Sequence, residues 1–92
     1  MNKWSIIEYL WLVVIALCPD GYIYIEGDII GATIQGAIKT TLDNCAKLCT
    51  DKPQCNSFEH ASNHCNLNKE SNPNGPKYND FIFCTKIGNL LI

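Results

Sequence analysis

The chain has 92 residues, 47% of them hydrophobic and 17% charged, with seven lysine or arginine side chains against nine aspartates and glutamates. That length supports a single small domain. The formal net charge of -2, carried without any cluster of lysines, argues against nucleic acid, heparin-like glycans and anionic membrane surfaces as partners, because all three call for concentrated positive charge.

The opening MNKWSIIEYLWLVVIALC sets Lys3 before an apolar run over residues 4–17, broken only by Ser5 and Glu8. Val14 and Ala16 fall at the positions that signal peptidase reads before a cut after Ala16. The run is short of the roughly 20 apolar residues that span a bilayer. Residues 1–16 are therefore expected to be a signal peptide, 17–86 the exported domain and 87–92 an apolar tail. Glu8 within the run defines the alternative, an uncleaved anchor holding the same domain outside the membrane. Lipidation at Cys18 fits poorly, because Leu17 precedes it. No Asn-x-Ser/Thr triplet occurs, so N-glycosylation is not expected.

Cys18, Pro19, Asp20 and Gly21 have the composition of a turn. Residues 22–26 are rich in β-formers and predict a strand. Gly27, Gly31 and Gly36 break the next segment, which reads as a loop with extended pieces around Ile29-Ile30 and Thr33-Ile34. A helix then begins at Thr40 or Thr41, either of which can cap it. Asp43 suits the positive end of its dipole and Lys52 lies near the negative end. Leu42, Cys45, Ala46 and Cys49 share one face, and Pro53 stops the helix. Strands follow at about residues 55–60 and 64–68, with Ala61, Ser62 and Asn63 turning between them. Residues 69–77, KESNPNGPK, form a polar loop. Residues 78–86 return to β-formers, and Phe81-Ile82-Phe83 suits a central strand covered on both faces. The order strand, loop, helix, three strands predicts an α+β fold, with a single helix on a mostly antiparallel sheet.

Removing residues 1–16 leaves 76 residues, too few to rely on core burial alone. The six cysteines, Cys18, Cys45, Cys49, Cys55, Cys65 and Cys84, read as a disulfide framework. Cys45 and Cys49 lie one helical turn apart, with β-carbons about 5–6 Å apart. A bridge needs about 3.5–4.5 Å, so each must reach off the helix. Cys55 follows the helix end closely and suits Cys49. Cys45 then reaches Cys65 in the next strands, and Cys18 meets Cys84 near the chain ends. The expected pattern is nested: Cys18–Cys84, Cys45–Cys65 and Cys49–Cys55.

These residues resemble the PAN/apple superfamily. The matching text is Thr41-Leu42-Asp43-Asn44-Cys45-Ala46-Lys47-Leu48-Cys49, then Cys55-Asn56-Ser57-Phe58-Glu59-His60, then Cys65-Asn66-Leu67, then Tyr78-Asn79-Asp80-Phe81-Ile82-Phe83-Cys84. His60 stands where an aromatic residue is usual in the family. The resemblance covers about residues 18–86. It implies a helix cradled by an antiparallel sheet, the same nested bridges, and non-catalytic binding of an extracellular protein or glycan. It implies no cofactor, and it carries no binding residue across.

Sharper chemistry has bland competitors. Cys45 and Cys49 with His60 and His64 approach Cys2His2 zinc spacing, but an exported chain with four further cysteines favours disulfides and two surface histidines. A cysteine nucleophile beside His60 or His64 needs a spare thiolate, which an even cysteine count in an oxidising compartment does not leave. Glu59 and Asp80 could be read as an acid–base pair, yet a strand-face Glu and a strand-start Asp are the simpler account. Tyr22, Tyr24, Tyr78 and Phe81 could stack on sugars, but alternating strand aromatics usually form core. The polar loop 69–77 is placed where binding residues tend to sit, but a tolerated surface insertion is the simpler account. Oligomeric state and ligand identity leave no trace in the sequence.

Overall fold

A computed structural model describes residues 17–29, 33–77 and 80–90. The expected signal segment 1–16, together with Ile30, Gly31 and Tyr78, lies outside the described residues. The elements are β1 (Tyr22–Tyr24), β2 (Thr33–Lys39), α1 (Leu42–Asp51), β3 (Ser57–Ala61), β4 (His64–Asn68) and β5 (Ile82–Lys86), followed by a 3-10 turn over Ile87–Leu90. The strands form one sheet in the order β1-β5-β3-β4-β2, with every neighbouring pair antiparallel. Among the described residues the architecture is α+β, with one helix lying on a five-stranded sheet.

Helix α1 starts where the side chain of Thr41 caps it: the Asn44 backbone N–H donates to Thr41 Oγ1 at 3.2 Å. Behind the cap, Asn44 Nδ2 donates to Thr40 Oγ1 at 2.6 Å. Cys45, Ala46 and Cys49 form the buried stripe. The Lys52 N–H bonds back to the Cys49 carbonyl as the helix ends ahead of Pro53. The hairpin β3–β4 closes on Ser62 and Asn63, with φ of 47° and 62°. Two left-handed residues in a two-residue loop match the right-handed twist of the flanking strands. Strand β5 sits between β1 and β3 with Phe83, Cys84 and Thr85 all buried, as a central strand requires.

Strand β2 departs from the sequence expectation of a glycine-broken loop. All seven of its residues are exposed or half-buried, so no apolar alternation marks it. It pairs with β4 through a register that shifts twice. The irregularity centres on Gly36 and on Ala37, whose φ is 57°. The Asn66 side chain holds it, accepting the Ala37 N–H at Oδ1 at 2.9 Å. A Cβ at Gly36 would come within 3.1 Å of that same oxygen, so the close approach favours glycine there.

Side chains alternate across the sheet, and the two faces differ. On the helix side, Phe58, Leu67, Cys65 and Cys84 join Cys45, Cys49, Ala46 and Tyr22 in the main core. Tyr22 meets Phe58 edge to face, with ring centroids 4.9 Å apart. The other side carries Ser57, Glu59, Asn68, Phe83 and Thr85, all buried. Buried Asp28 and Ile29 lie in the segment that follows β1, and an isolated bridge pairs Asp28 with Gly75. That second face is thus a small and largely polar interior.

Candidate functional site

Three disulfides fix the framework. Cys18, just before β1, bonds Cys84 of β5; Cys45 of α1 bonds Cys65 of β4; Cys49 of α1 bonds Cys55 in the loop that follows. No free cysteine stands among the described residues. The sulfurs of Cys45 and Cys49 are therefore engaged in bridges, and the histidines of the alternative zinc reading are used differently. His60 Nε2 lies 2.9 Å from the Thr40 carbonyl, and His64 Nδ1 lies 3.0 Å from the Ser62 carbonyl. A carbonyl only accepts, so each of these ring nitrogens carries a proton.

The aromatic residues divide between core and margin. Tyr22 is only 3% exposed. Its hydroxyl donates to the Ala46 carbonyl at 3.1 Å and lies 3.0 Å from Thr50 Oγ1. Burial is the main cause holding the Tyr22 phenol above its ordinary range; the Thr50 hydrogen bond opposes it, and nearby Asp51 adds to it. Tyr24 packs half-buried against the same core. The buried Tyr22 ring offers no free face for a sugar.

A concave surface lies at the end of the sheet where α1 begins. Lys39, Thr40, Thr41, Ser62, Asn63 and His64 line a concavity of about 480 Å³. Three segments build it. Lys39, the last residue of β2, stands opposite His64 of β4. The Thr40 N–H donates to the Asn63 carbonyl at 2.9 Å, which fastens the hairpin turn to the helix approach. His60 braces Thr40 from below through the bond already given. The rim presents the exposed side chains of Lys39, Thr41, Ser62, Asn63 and His64. With His64 Nδ1 committed to Ser62, Nε2 is the ring's remaining polar atom. The surface thus mixes hydroxyls, an amide, an imidazole and one ammonium on a backbone braced by hydrogen bonds. That chemistry suits a neutral or acidic polar ligand, recognised by hydrogen bonds and not by burial of apolar area.

A second concavity of about 400 Å³ is lined by Asp20, Gly21, Tyr22, Thr50, Lys86 and Gly88. Its buried floor includes the Tyr22 side chain, already bonded to Ala46 and Thr50.

On the polar face of the sheet, Glu59 is 4% exposed and Asp28 is fully buried. Burial first, and the Asp28 contact second, hold the Glu59 carboxyl above its ordinary range; the Ile29 backbone and Asn68 Nδ2, the latter at 3.4 Å, oppose this. The acidic neighbour of Glu59 is thus Asp28, while Asp80 is exposed. The sequence reading missed Asp28, Lys39, Thr40 and Asn63, because each takes part only once distant segments meet.

Among the described residues no helix is long and apolar enough to cross a membrane. No curated protein and no solved structure matches the chain. A family model described as the PAN domain matches residues 18–86, which include all six cysteines, helix α1 and all five strands. The chain belongs to the PAN domain family.

Proposed function

We propose that this chain is an exported, non-catalytic binding module for an extracellular protein or glycan, and that it binds through the concavity lined by Lys39, Thr40, Thr41, Ser62, Asn63 and His64. Membership of a family of binding modules supports the class. An extracellular setting is supported by the three disulfides, which persist in oxidising compartments, and by the signal-like residues 1–16. The observation that carries the choice of surface is its bracing. The Thr40 N–H to Asn63 carbonyl bond and the His60 to Thr40 bond fix the backbone under five exposed polar side chains. Such a surface binds with little ordering cost.

The test is a glycan array together with affinity capture from extracellular fluid, each run with the native chain and with the triple variant Lys39→Ala, Asn63→Gly, His64→Ala. Glycine at position 63 keeps the left-handed turn while removing the amide. Binding to whatever ligand the native chain selects should weaken at least about tenfold, some 1.4 kcal/mol, with little change in melting temperature. Full binding by the triple variant would remove this surface. Absence of any ligand in both formats would count against the binding function itself.

A further inference from the structure

The loop over residues 69–77 contains Asn74-Gly75, the only Asn-Gly pair in the sequence. An asparagine can lose its side-chain amide when the backbone nitrogen of the next residue attacks its Cγ. Glycine in that next position favours the attack, because it has no Cβ to crowd the closing ring. Asn74 is exposed and Gly75 half-buried, so water reaches the pair. Asn72, two positions earlier, is followed by Pro73, whose nitrogen has no proton to lose and does not attack in the same way.

In the fold, the nitrogen that would attack is occupied. The Gly75 N–H donates to the Asp28 carbonyl at 3.2 Å, and the Asn74 N–H donates to the same oxygen at 3.0 Å. The Asp28 N–H donates back to the Gly75 carbonyl at 3.1 Å. Pro73 and Pro76 flank the pair and have no N–H, so both backbone donors of residues 73–76 are spent on one oxygen. Gly27 packs against Pro73 so closely that a Cβ on it would lie 2.5 Å from Pro73 Cβ. These bonds clasp residues 27–29 to residues 73–75. The closed clasp aims the Gly75 N–H at Asp28 and fixes the peptide plane between residues 74 and 75. Attack on Asn74 Cγ requires that nitrogen to give up its proton and turn towards the Asn74 side chain. The reaction therefore waits on opening of the clasp, a local event that surface loops undergo well below the cost of global unfolding.

We propose that Asn74 is a self-modification site gated by the Asp28 clasp, and that its conversion to isoaspartate holds the clasp open. Once the clasp opens, the Gly75 nitrogen loses its proton to solvent base and bonds to Asn74 Cγ. The Cγ–Nδ2 bond breaks and the side-chain nitrogen leaves as ammonia, which gives a five-membered succinimide. Water then opens the ring. Breaking the new N–Cγ bond gives aspartate; breaking the original peptide bond gives isoaspartate, whose backbone runs through Cβ and Cγ. No oxidant or reductant takes part. Either product adds a negative charge to the loop. The isoaspartyl product also adds a carbon to the backbone between the Asn74 and Gly75 nitrogens, so their two N–H groups no longer converge on the Asp28 carbonyl.

The test compares the native, disulfide-bonded chain with a synthetic peptide of residues 70–77, incubated side by side in neutral buffer. Mass spectrometry of the tryptic peptide 70–77 reads conversion at Asn74, and chromatography separates aspartate from isoaspartate. The native chain should lag behind the peptide by a factor that matches the hydrogen-exchange protection of its Asp28 amide to within about threefold, since one opening governs both. Gly27→Ala, which forces a Cβ against Pro73, should speed conversion in the folded chain at least about fivefold. Isolated isoaspartyl protein should have lost protection at the Asp28 amide, while the Cys45 amide, bonded to the Thr41 carbonyl at 2.9 Å, keeps its own. Conversion of the native chain as fast as the peptide, or a lag unrelated to Asp28 protection, would overturn the gate. An isoaspartyl protein with full Asp28 protection would overturn the claim that conversion holds the clasp open. Should Gly27→Ala fail to fold, the native chain, the peptide and the isolated isoaspartyl form decide the matter without it.

Discussion

The Tyr22 hydroxyl donates to the Ala46 carbonyl at 3.1 Å, tying the first strand to the middle of the only α-helix among the described residues across 24 positions of sequence. The contact joins the two layers of the fold at the point where Tyr22 also meets Phe58 edge to face. It ties the helix layer to the sheet through a side chain, so its removal is informative.

Tyr22→Phe keeps the ring and deletes the hydroxyl. The Ala46 carbonyl still receives the Thr50 hydroxyl at 2.9 Å, so no buried acceptor is stranded. The expected cost is about 1 kcal/mol, a loss of roughly 4–8 °C in melting temperature for a domain of this size. The same residue sets an alkaline limit. Its phenol is held above the ordinary tyrosine range, so its contribution is complete below about pH 10 and is lost as pH rises through the folded value. An ultraviolet pH titration should show one phenol ionising later than the rest, and Tyr22→Phe should remove that late step. A variant as stable as the native chain, with the late step intact, would show the hydroxyl to be idle.

Two glycines with positive φ should respond differently to alanine. At Gly21 (φ 90°) an added Cβ would meet nothing within 4 Å, whereas at Gly27 (φ 142°) it would meet Pro73 and the Gly75 carbonyl at 3.0 Å or less. Gly21→Ala should cost only the backbone strain, about 1 kcal/mol. Gly27→Ala adds overpacking of roughly 1–3 kcal/mol on top and should push residues 27–29 away from Pro73 and Gly75. Chemical denaturation of the two variants compares them; equal losses would mean that Pro73 yields freely.

Legibility followed burial and locality. Helix α1 could be read because its cap, its Leu42-Cys45-Ala46-Cys49 stripe and Pro53 all lie within a dozen or so neighbouring positions. The hairpin β3–β4 and the central strand β5 could be read because apolar and β-forming residues cluster there. Strand β2 could not, since its exposed residues and its break at Gly36 and Ala37 leave no alternation, and its partner β4 lies some 30 residues away. The candidate surface was hidden for a related reason. Lys39, Thr40 and Thr41 come from one segment and Ser62, Asn63 and His64 from another, and none of the six has a chemical signature alone. Glu59 read as an ordinary strand-face acid because Asp28, the acid that adds to burial in raising its carboxyl, lies far away in the sequence.

The bridges should rank by packing and not by loop length. Chain entropy alone favours Cys18–Cys84, which closes a separation of 66 residues against 20 for Cys45–Cys65; the corresponding stabilisations are about 4 and about 3 kcal/mol. However, Tyr24 pairs directly with Cys84 in the β1–β5 ladder, so the backbone still holds these segments together without the sulfur link. Helix α1 meets β4 through side chains, and Cys45 and Cys65 are both fully buried. Paired Cys45→Ala, Cys65→Ala also leaves two cavities in the core. It should lower the melting temperature more than paired Cys18→Ala, Cys84→Ala. The opposite order would mean that chain entropy governs this fold.

The proposed binding role depends on an exported chain closed by three nested bridges. Mass-spectrometric mapping of secreted, unreduced protein tests this most directly. Trypsin should release a peptide of residues 17–39 linked to 78–86, and one of 40–47 linked to 48–69, since Lys52 precedes Pro53 and resists cleavage. Cleavage after Glu59 should then leave residues 40–47 attached to 60–69, with Cys49 and Cys55 joined inside 48–59. The predicted result is this set with no free thiol and an N-terminus at or near Leu17. Free thiols, other linked pairs, or a chain that keeps Met1 and stays in membranes would contradict it.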